Sequence, residues 1–281
     1  MFRGGKAAAA LALWMLLGPS GCATLRTRAL ASPRGSRVVL VAHRGASAYA
    51  PENTIAAYRE AFERGAEIAE CDVHLSRDGE LIVMHDPTVD RTTDGSGEVS
   101  ELTLAEISRL DAGAHFDKRF RGEPVPTLAQ LLDFVRGRLA LFIEVKSGPE
   151  TIEPLAALLR ARRRQRKQVA IISFDEEVVA ESEARMPDIP TMLLVWTGPG
   201  QAKPGAEAVD RVVALGAEMI GVSTHGASPE LVALAHEARI GVFVYTVNDA
   251  ANTVRLVEYG VDGIHTDAPD FVREVLDAAP I

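Results

Sequence analysis

The residues best suited to chemistry stand at the ends of short apolar runs. They are His43 and Arg44, Glu70 and Asp72, His85, and Glu144 and Lys146. VVLVA at 38–42, for example, leads directly into His43 and Arg44, and LIVM at 81–84 leads into His85. Three carboxylates, two imidazoles and two cations on neighbouring strand ends could bind a divalent cation and an anion, and transfer protons between reacting groups.

Glu70, Asp72 and Glu144 are candidate ligands for a metal ion. Side chains alternate along a strand, so Glu70 and Asp72 share one face, about 7 Å apart along the backbone. Buried carboxylates at this spacing repel each other unless a cation joins them. Carboxylate oxygens without cysteine or paired histidine ligands favour a hard ion over zinc. We therefore expect one divalent cation, Mg²⁺ or Ca²⁺.

The basic side chains and the histidines complete this site. Arg44 and Lys146 would hold a negatively charged substrate beside the cation, and phosphate is the natural candidate. His43 and His85 ionise near neutral pH and can divide general base and general acid work. We expect His43 as the base and His85 as the acid. A lone histidine is usually structural, so the joint placement of these residues carries the prediction.

Alternating apolar and amphipathic segments would position these residues. Strand-like runs occur at 38–42, 68–75, 140–145, 169–173, 191–196, 218–222, 242–247 and 262–266. Helix-like segments lie at 53–64, 127–136, 152–163, 175–185, 205–215, 228–238, 249–258 and 268–278, and capping residues Thr127, Asp175, Ser228 and Asp249 open four of them. Eight such units predict an α/β fold of the (β/α)₈ TIM-barrel type. The alternative is a doubly wound open sheet, although no G-x-G-x-x-G motif follows a strand.

One segment interrupts the alternation of strands and helices. Residues 81–126 are too long for an ordinary strand-to-helix loop, and they contain the Gly-rich turn DGSG at 94–97. We predict a small insertion after the second strand, at about 87–126. Its place between a strand and the following helix puts it at the mouth of the barrel, where the active sites of such barrels lie.

The N-terminal segment is typical of an export signal. Arg3 and Lys6 precede an apolar run at 7–17, which is too short to span a membrane, and small residues lead to Cys22. Cys22 resembles the lipidated cysteine of a bacterial lipoprotein, although Pro19 stands where a large aliphatic residue is usual. The alternative is an ordinary secretory peptide.

These features divide the chain into a signal at 1–21, a tether at 22–37 and a barrel at 38–281. The tether is small, polar and basic, without an apolar period. We expect export to the periplasm or cell envelope, with membrane attachment through lipidated Cys22.

Composition excludes several classes of protein. The formal net charge is −9, from 30 Lys and Arg against 39 Asp and Glu, which argues against a general nucleic-acid binder. Two cysteines in 281 residues exclude a disulfide scaffold, and Cys71 is predicted to face the helices as a core residue. Nothing in the composition indicates a protein partner.

The motifs together resemble the glycerophosphodiester phosphodiesterase family. The matching blocks are AHRGASAYAPENT at 42–54, ECDVHLSRDGELIVMHDPTVDRTTDGSG at 70–97, LFIEVK at 141–146, ISF at 172–174, YTVN at 245–248 and GVDGIHTDAP at 260–269. The blocks occur in the family's order across the barrel, with the insertion where the family carries one. No single block is specific, whereas the set is.

This resemblance implies a metal-dependent hydrolase of lipid metabolism, which cleaves glycerophosphodiesters to sn-glycerol 3-phosphate and an alcohol. It implies metal binding by Glu70, Asp72 and Glu144, acid–base catalysis by His43 and His85, and phosphate contacts from Arg44 and Lys146. The resemblance also implies that Glu52, Phe174, Tyr245 and Asn248 line the substrate pocket or support the residues that contact the substrate. Glu52 is expected mainly to orient its neighbours.

Two residues depart from the family's pattern, and other functions stay open. Tyr245 stands where the family usually has tryptophan, and His265 replaces an aliphatic residue and is expected to be a barrel-interior histidine. One alternative function is a lysophospholipase D-like activity on intact lysolipids. Another is a non-catalytic lipoprotein that binds glycerophosphodiesters, which would not need two histidines. The sequence leaves open whether water or the glycerol 2-hydroxyl is the nucleophile.

Overall fold

The fold is a closed barrel of eight parallel strands, as the alternation of segments predicts. The computed structural model describes residues 38–278, so the predicted signal, the tether and Cys22 lie outside the described residues. The strands are β1 (Val39–Ala42), β2 (Ile68–Leu75), β3 (Leu81–Val83), β4 (Ala140–Val145), β5 (Val169–Ser173), β6 (Thr191–Val195), β7 (Met219–Ser223), β8 (Gly241–Tyr245) and β9 (Gly263–Thr266). All except β3 are parallel, and β1 pairs with both β2 and β9 to close the ring. The alternative of an open sheet is therefore wrong.

Helices surround the barrel. They are α1 (Ile55–Glu63), α2 (Leu104–Ile107), α3 (Leu128–Val135), α4 (Ile152–Ala161), α5 (Glu176–Arg185), α6 (Ala206–Leu215), α7 (Pro229–Glu237), α8 (Ala250–Tyr259) and α9 (Pro269–Ala278). The four predicted caps are confirmed, since Thr127, Asp175, Ser228 and Asp249 each accept a hydrogen bond from a backbone N–H of the first helical turn. These caps begin the helices directly after the loops at the mouth.

Two layers of apolar side chains hold the barrel together. The interior layer includes Phe142 and Phe243, whose rings pack edge to face with centroids 5.4 Å apart. The outer layer lies between strands and helices, and it contains Cys71, which is fully buried and has a free thiol, as predicted. Among the described residues, no helix is long and apolar enough to cross a membrane.

Residues 81–126 form a small subdomain beside β2. Its first element, β3, pairs antiparallel with β2, with Val83 opposite Val73. A separate apolar cluster fills it, including Ile82, Val89 and Ile107. This cluster fixes His85 and the loop that follows it at the carboxyl end of β2.

Candidate active site

A tight turn after β1 places His43 and Arg44 at the mouth of the barrel. Arg44 and Gly45 both have positive φ angles, 54° and 81°. A Cβ atom on Gly45 would lie 2.7 Å from the backbone carbon of Ala57, so only glycine fits this turn. The turn directs the backbone N–H of Arg44 to Glu70, whose Oε2 accepts the hydrogen bond at 2.8 Å.

Glu70, Asp72 and Glu144 converge in one acidic cluster. One carboxylate oxygen from each lies within 4.8 Å of the others, because β2 and β4 are neighbours with Asp72 opposite Glu144. Glu70 and Asp72 are each 1% exposed. Burial, together with the charges of Asp72 and Glu144, raises the pKa of Glu70 well above its usual range. Burial and the charge of Asp72 also raise the pKa of Glu144.

This cluster fits a divalent cation. Glu70 Oε1 and Asp72 Oδ1 are buried and have no hydrogen-bond partner among the residues that the structure describes. Unsatisfied buried carboxylate oxygens are costly, and a hard cation would satisfy them. The donor set is all oxygen, which suits Mg²⁺ or Ca²⁺.

Two cations border the acidic cluster. The Nε atom of Arg44 is 3.3 Å from Asp72 Oδ2. The Nζ atom of Lys146 is 2.7 Å from Glu144 Oε1 and 3.6 Å from Asp72 Oδ1. Burial lowers the pKa of Lys146, but the charges of Glu144 and Asp72 outweigh this effect and raise the pKa above its usual value. Both cations therefore stay charged beside the place where an anion would bind.

His43 is held by an aspartate from the opposite end of the chain. Its Nδ1 atom lies 2.7 Å from Asp267 Oδ1, which also accepts a hydrogen bond from Ser47 at 2.8 Å. Asn248 donates to the other oxygen of Asp267 at 2.6 Å. Burial alone would raise the pKa of Asp267, but the hydrogen bond and charge of His43 lower it to about 2. An ionised Asp267 favours the tautomer of His43 that carries its proton on Nδ1.

His85 has an equivalent arrangement. Its Nδ1 atom lies 2.6 Å from Asp86 Oδ1, and its backbone carbonyl is 3.0 Å from His74 Nε2. Burial lowers the pKa of His85, while the charge of Asp72 acts in the opposite direction. In both histidines, therefore, an aspartate carboxylate contacts the Nδ1 atom of the ring.

Arg91 of the insertion connects the two sides of the mouth. It donates hydrogen bonds to both oxygens of Asp86, at 2.6 and 2.9 Å, and to both oxygens of Glu52, at 2.9 and 2.8 Å. Glu52 also accepts a hydrogen bond from Arg44 at 3.0 Å. Burial would raise the pKa of Glu52, but Arg91 and Arg44 lower it to about 2. Glu52 therefore joins two arginines, Arg44 and Arg91.

The remaining candidates have distinct places. Phe174 is 45% exposed, and its ring packs edge to face on Tyr245 with centroids 5.9 Å apart. The Tyr245 hydroxyl is buried and has no hydrogen-bond partner among the described residues. Burial and the nearby charge of Glu144 raise its pKa. Asn248 binds Asp267 and therefore supports His43.

His265 lies in the interior of the barrel, as expected. It is 2% exposed and packs against the rings of Phe142, Phe243 and Tyr245. Burial and the proximity of His43 lower its pKa to about 3, so the ring is neutral at physiological pH.

Several site residues were not predicted from the sequence. They are Asp267, Asp86, Arg91 and Asn53, whose side-chain amide donates to Asp72 at 2.8 Å. A signal existed for two of them, since Asp86 directly follows His85 and Asp267 directly follows β9. Asn53 has a positive φ of 58° within the ENT element. No sequence pattern indicates that Arg91 belongs to the site, because its contacts depend on how the insertion folds.

Comparison with known proteins identifies the family. The profile described as "Glycerophosphoryl diester phosphodiesterase family" matches residues 43–271. The chain belongs to this family. A glycerophosphodiester phosphodiesterase of Bacillus subtilis is 37% identical over 263 residues, covering 85% of this chain and 86% of the relative. One from Caldanaerobacter subterraneus subsp. tengcongensis is 36% identical over 243 residues, covering 83% of this chain and 96% of the relative.

Solved structures of glycerophosphodiester phosphodiesterases share the fold. The Agrobacterium tumefaciens enzyme has a TM-score of 0.73 and 32% identity, with 85% of this chain and 100% of that chain covered. A phosphodiesterase of Oleispira antarctica, solved in complex with the product sn-glycerol-3-phosphate, has a TM-score of 0.78 and 27% identity, with 85% of this chain and 97% of that chain covered. The protein is accordingly a phosphodiesterase of glycerophosphodiesters, with a buried acidic cluster suited to a divalent metal ion.

Proposed function

We propose that the protein hydrolyses glycerophosphodiesters to sn-glycerol 3-phosphate and an alcohol, by metal-dependent catalysis with two histidines. The proposal depends mainly on one observation, that three groups of side chains lie together at the mouth of the barrel. They are the acidic cluster, the cations Arg44 and Lys146, and two histidines whose Nδ1 atoms are held by aspartates. The product complex of the Oleispira antarctica relative supports the assignment of the product.

Glu70, Asp72 and Glu144 would hold the cation. When bound, a divalent ion supplies electrostatic stabilisation of the phosphoryl oxygens as negative charge develops. Arg44 and Lys146 contact the same phosphate, exchanging part of their present contacts with the carboxylates for contacts with substrate oxygens. The positive charges offset the charge of the acidic cluster, so an anionic substrate can enter.

The histidines move the protons. One removes the proton of the nucleophile, which is water or the glycerol 2-hydroxyl, and the other protonates the leaving alkoxide. We assign the base to His43 and the acid to His85. Asp267 and Asp86 hold the two rings through Nδ1, so His43 would act with Nε2 unprotonated and His85 with a proton on Nε2. Arg91 lowers the pKa of Asp86 and keeps it ionised beside His85.

Phe174 and Tyr245 form the wall that faces the alcohol group. The exposed ring of Phe174, which packs on Tyr245, offers an apolar surface to that group.

Release of glycerol 3-phosphate from glycerophosphocholine tests the function. We expect turnover that depends on a divalent cation, and slower release of choline from lysophosphatidylcholine, which would leave lysophosphatidic acid, than from glycerophosphocholine at equal concentration. Efficient cleavage of the lysolipid without cleavage of glycerophosphocholine would instead favour the lysophospholipase D-like alternative. Binding of glycerophosphocholine without turnover would favour the non-catalytic lipoprotein.

We also propose that the protein is exported and anchored to the membrane of the cell envelope through lipidated Cys22. The charged start, short apolar run and small residues before Cys22 support this proposal.

Replacing Cys22 with serine is expected to release the protein from the membrane fraction into the soluble fraction, because stable anchoring needs the attached acyl chains. Fractionation followed by immunoblotting measures this change. Cys71→Ser is the matched control, since Cys71 is buried between the strands and the helices, and the distribution of this variant should equal that of wild type. An unchanged distribution of the Cys22→Ser protein would exclude the anchor.

A further inference from the structure

The end of the barrel opposite the active site carries exposed basic side chains that the reaction does not use. We call this set the basic face; it consists of Arg136, Arg138, Arg163, Arg164 and Lys167, all of them exposed. Its residues follow α3 and α4 and precede β4 and β5, which are paired neighbours. The catalytic side chains follow the carboxyl ends of the strands, so the basic face lies at the other end of the barrel.

The charges of the basic face are not neutralised within the described part of the chain. Two neighbouring acids already have partners, since Asp133 pairs with Arg162 at 3.4 Å and Asp188 pairs with Arg166. None of the five members forms an ion pair with any residue between 38 and 278. Positive charge is therefore concentrated here on a protein whose formal net charge is −9.

The N-terminal segment joins the barrel at this same end. β1 begins at Val39, and a parallel strand begins at the end opposite the mouth. Residues 22–37, which precede this end in the sequence, contain four arginines: Arg26, Arg28, Arg34 and Arg37. Sixteen extended residues reach at most about 55 Å, so an anchor at Cys22 would limit the distance of this end from the bilayer to about that length.

We propose that the basic face docks on the anionic phospholipid headgroups of the membrane that holds the protein, a proposal that rests on the proposed anchoring at Cys22. Arginine and lysine side chains are attracted to an anionic surface within about one Debye length, roughly 8–10 Å. Docking turns the mouth away from the bilayer. The site then takes soluble glycerophosphodiesters from the aqueous side, whereas lysolipids held in the same membrane do not reach it.

Vesicle binding tests this proposal without the anchor. The closed barrel and its core lie within the described residues, so a chain that starts at Ala23 keeps the whole fold. We expect this chain to bind vesicles that contain phosphatidylglycerol, to bind phosphatidylcholine vesicles at least tenfold more weakly, and to dissociate as salt rises. The variant R163Q/R164Q/K167Q should bind the anionic vesicles about tenfold or more weakly than wild type.

A control variant with the same change in net charge separates the basic face from a general charge effect. R59Q/R109Q/R121Q removes three exposed cations from α1 and the insertion, and it should bind as wild type does. Equal losses in both triple variants would overturn the proposal, as would equal binding to both kinds of vesicle. Binding of an oligonucleotide without binding of anionic vesicles would also overturn it.

Measuring turnover of glycerophosphocholine distinguishes a failure of this proposal from a failure of the proposed function. Vesicle-bound protein should hydrolyse the soluble substrate at the rate of free protein, because the basic face and the mouth are at opposite ends. Inhibition on binding would overturn the proposed orientation. Absence of turnover in the vesicle-free protein would refute the proposed function, while the vesicle comparison would still decide whether the basic face docks.

Discussion

His85→Ala is expected to lower kcat for glycerophosphocholine by about 10²–10⁴-fold, and His43→Ala by a similar factor. Such losses correspond to about 3–5 kcal/mol of transition-state stabilisation each. Each imidazole is held through Nδ1 by an aspartate, so its loss removes a positioned proton carrier and leaves the phosphate contacts of Arg44 and Lys146 in place. KM should consequently change much less than kcat.

An activated leaving group distinguishes the acid from the base. In the p-nitrophenyl ester of glycerol 3-phosphate, the leaving phenolate needs little protonation. The loss in His85→Ala should therefore be much smaller on this ester than on glycerophosphocholine, whereas His43→Ala should be impaired to a similar degree on both. The reverse pattern would exchange the two roles.

His236→Gln is the matched control for these variants. His236 also pairs with an aspartate, Asp262, at 2.9 Å, but it lies on α7 away from the mouth. This variant should retain the wild-type kcat on both substrates. Full activity of His43→Ala or His85→Ala would contradict the proposed mechanism.

The sequence predicts which candidate site residues lie close together at the strand ends, because regular secondary structure determines where those ends lie. Parallel strands in a barrel bring their carboxyl ends to one face, so Asp72 and Glu144 can be expected near each other before any contact is known. Their register in the structure, Asp72 opposite Glu144, follows from this rule. Side-chain alternation likewise places Cys71 outside the barrel, among the apolar residues beneath the helices.

The supporting contacts were harder to predict because they depend on tertiary structure. His43 and Asp267 meet across 224 positions of sequence, through closure of the barrel between β1 and β9. Arg91 reaches Glu52 and Asp86 from an irregular segment, for which no periodicity predicts a direction. The residue types of Asp267 and Arg91 do not indicate which side chains they contact. These contacts therefore could not be identified from the sequence alone.

The antiparallel strand β3 is different, since a local signal for it was present. Asp78 and Gly79 lie between the apolar runs of β2 and β3, and Asp-Gly between such runs is typical of a hairpin. Gly79 has a φ of 82°, as such a turn requires. The sequence shows LIVM at 81–84 as an apolar run, and this turn is the signal for its antiparallel pairing with β2.

Removing divalent cations with a chelator is expected to lower kcat for glycerophosphocholine by about 10³-fold. A bound divalent ion contributes several kcal/mol of charge stabilisation in the transition state, and each 1.4 kcal/mol is a factor of ten. Adding back Mg²⁺ and Ca²⁺ separately identifies the ion that restores activity. Unchanged turnover in chelator would contradict the metal assignment.

Thermal unfolding gives a readout of metal binding that does not depend on catalysis. In the acidic cluster, burial and the charges of Asp72 and Glu144 raise the pKa of Glu70. A cation at about 100 times its Kd would stabilise the folded state by about 2.7 kcal/mol, which raises the Tm by about 5–10 °C for a chain of this size. An equal Tm with and without the ion would mean that the cluster does not bind it.

Glu70→Gln separates metal binding from general stability. The variant removes one of the mutually repelling charges, so in chelator its Tm should equal or exceed that of wild type, while the increase on adding the cation should be lost. Glu183→Gln is the control, because Glu183 is a partly buried carboxylate bonded to Thr191, outside the acidic cluster. It should keep the full metal-dependent increase. A variant that is more stable without the ion and inactive with it would indicate that these carboxylates are retained for catalysis at a cost to the stability of the metal-free fold.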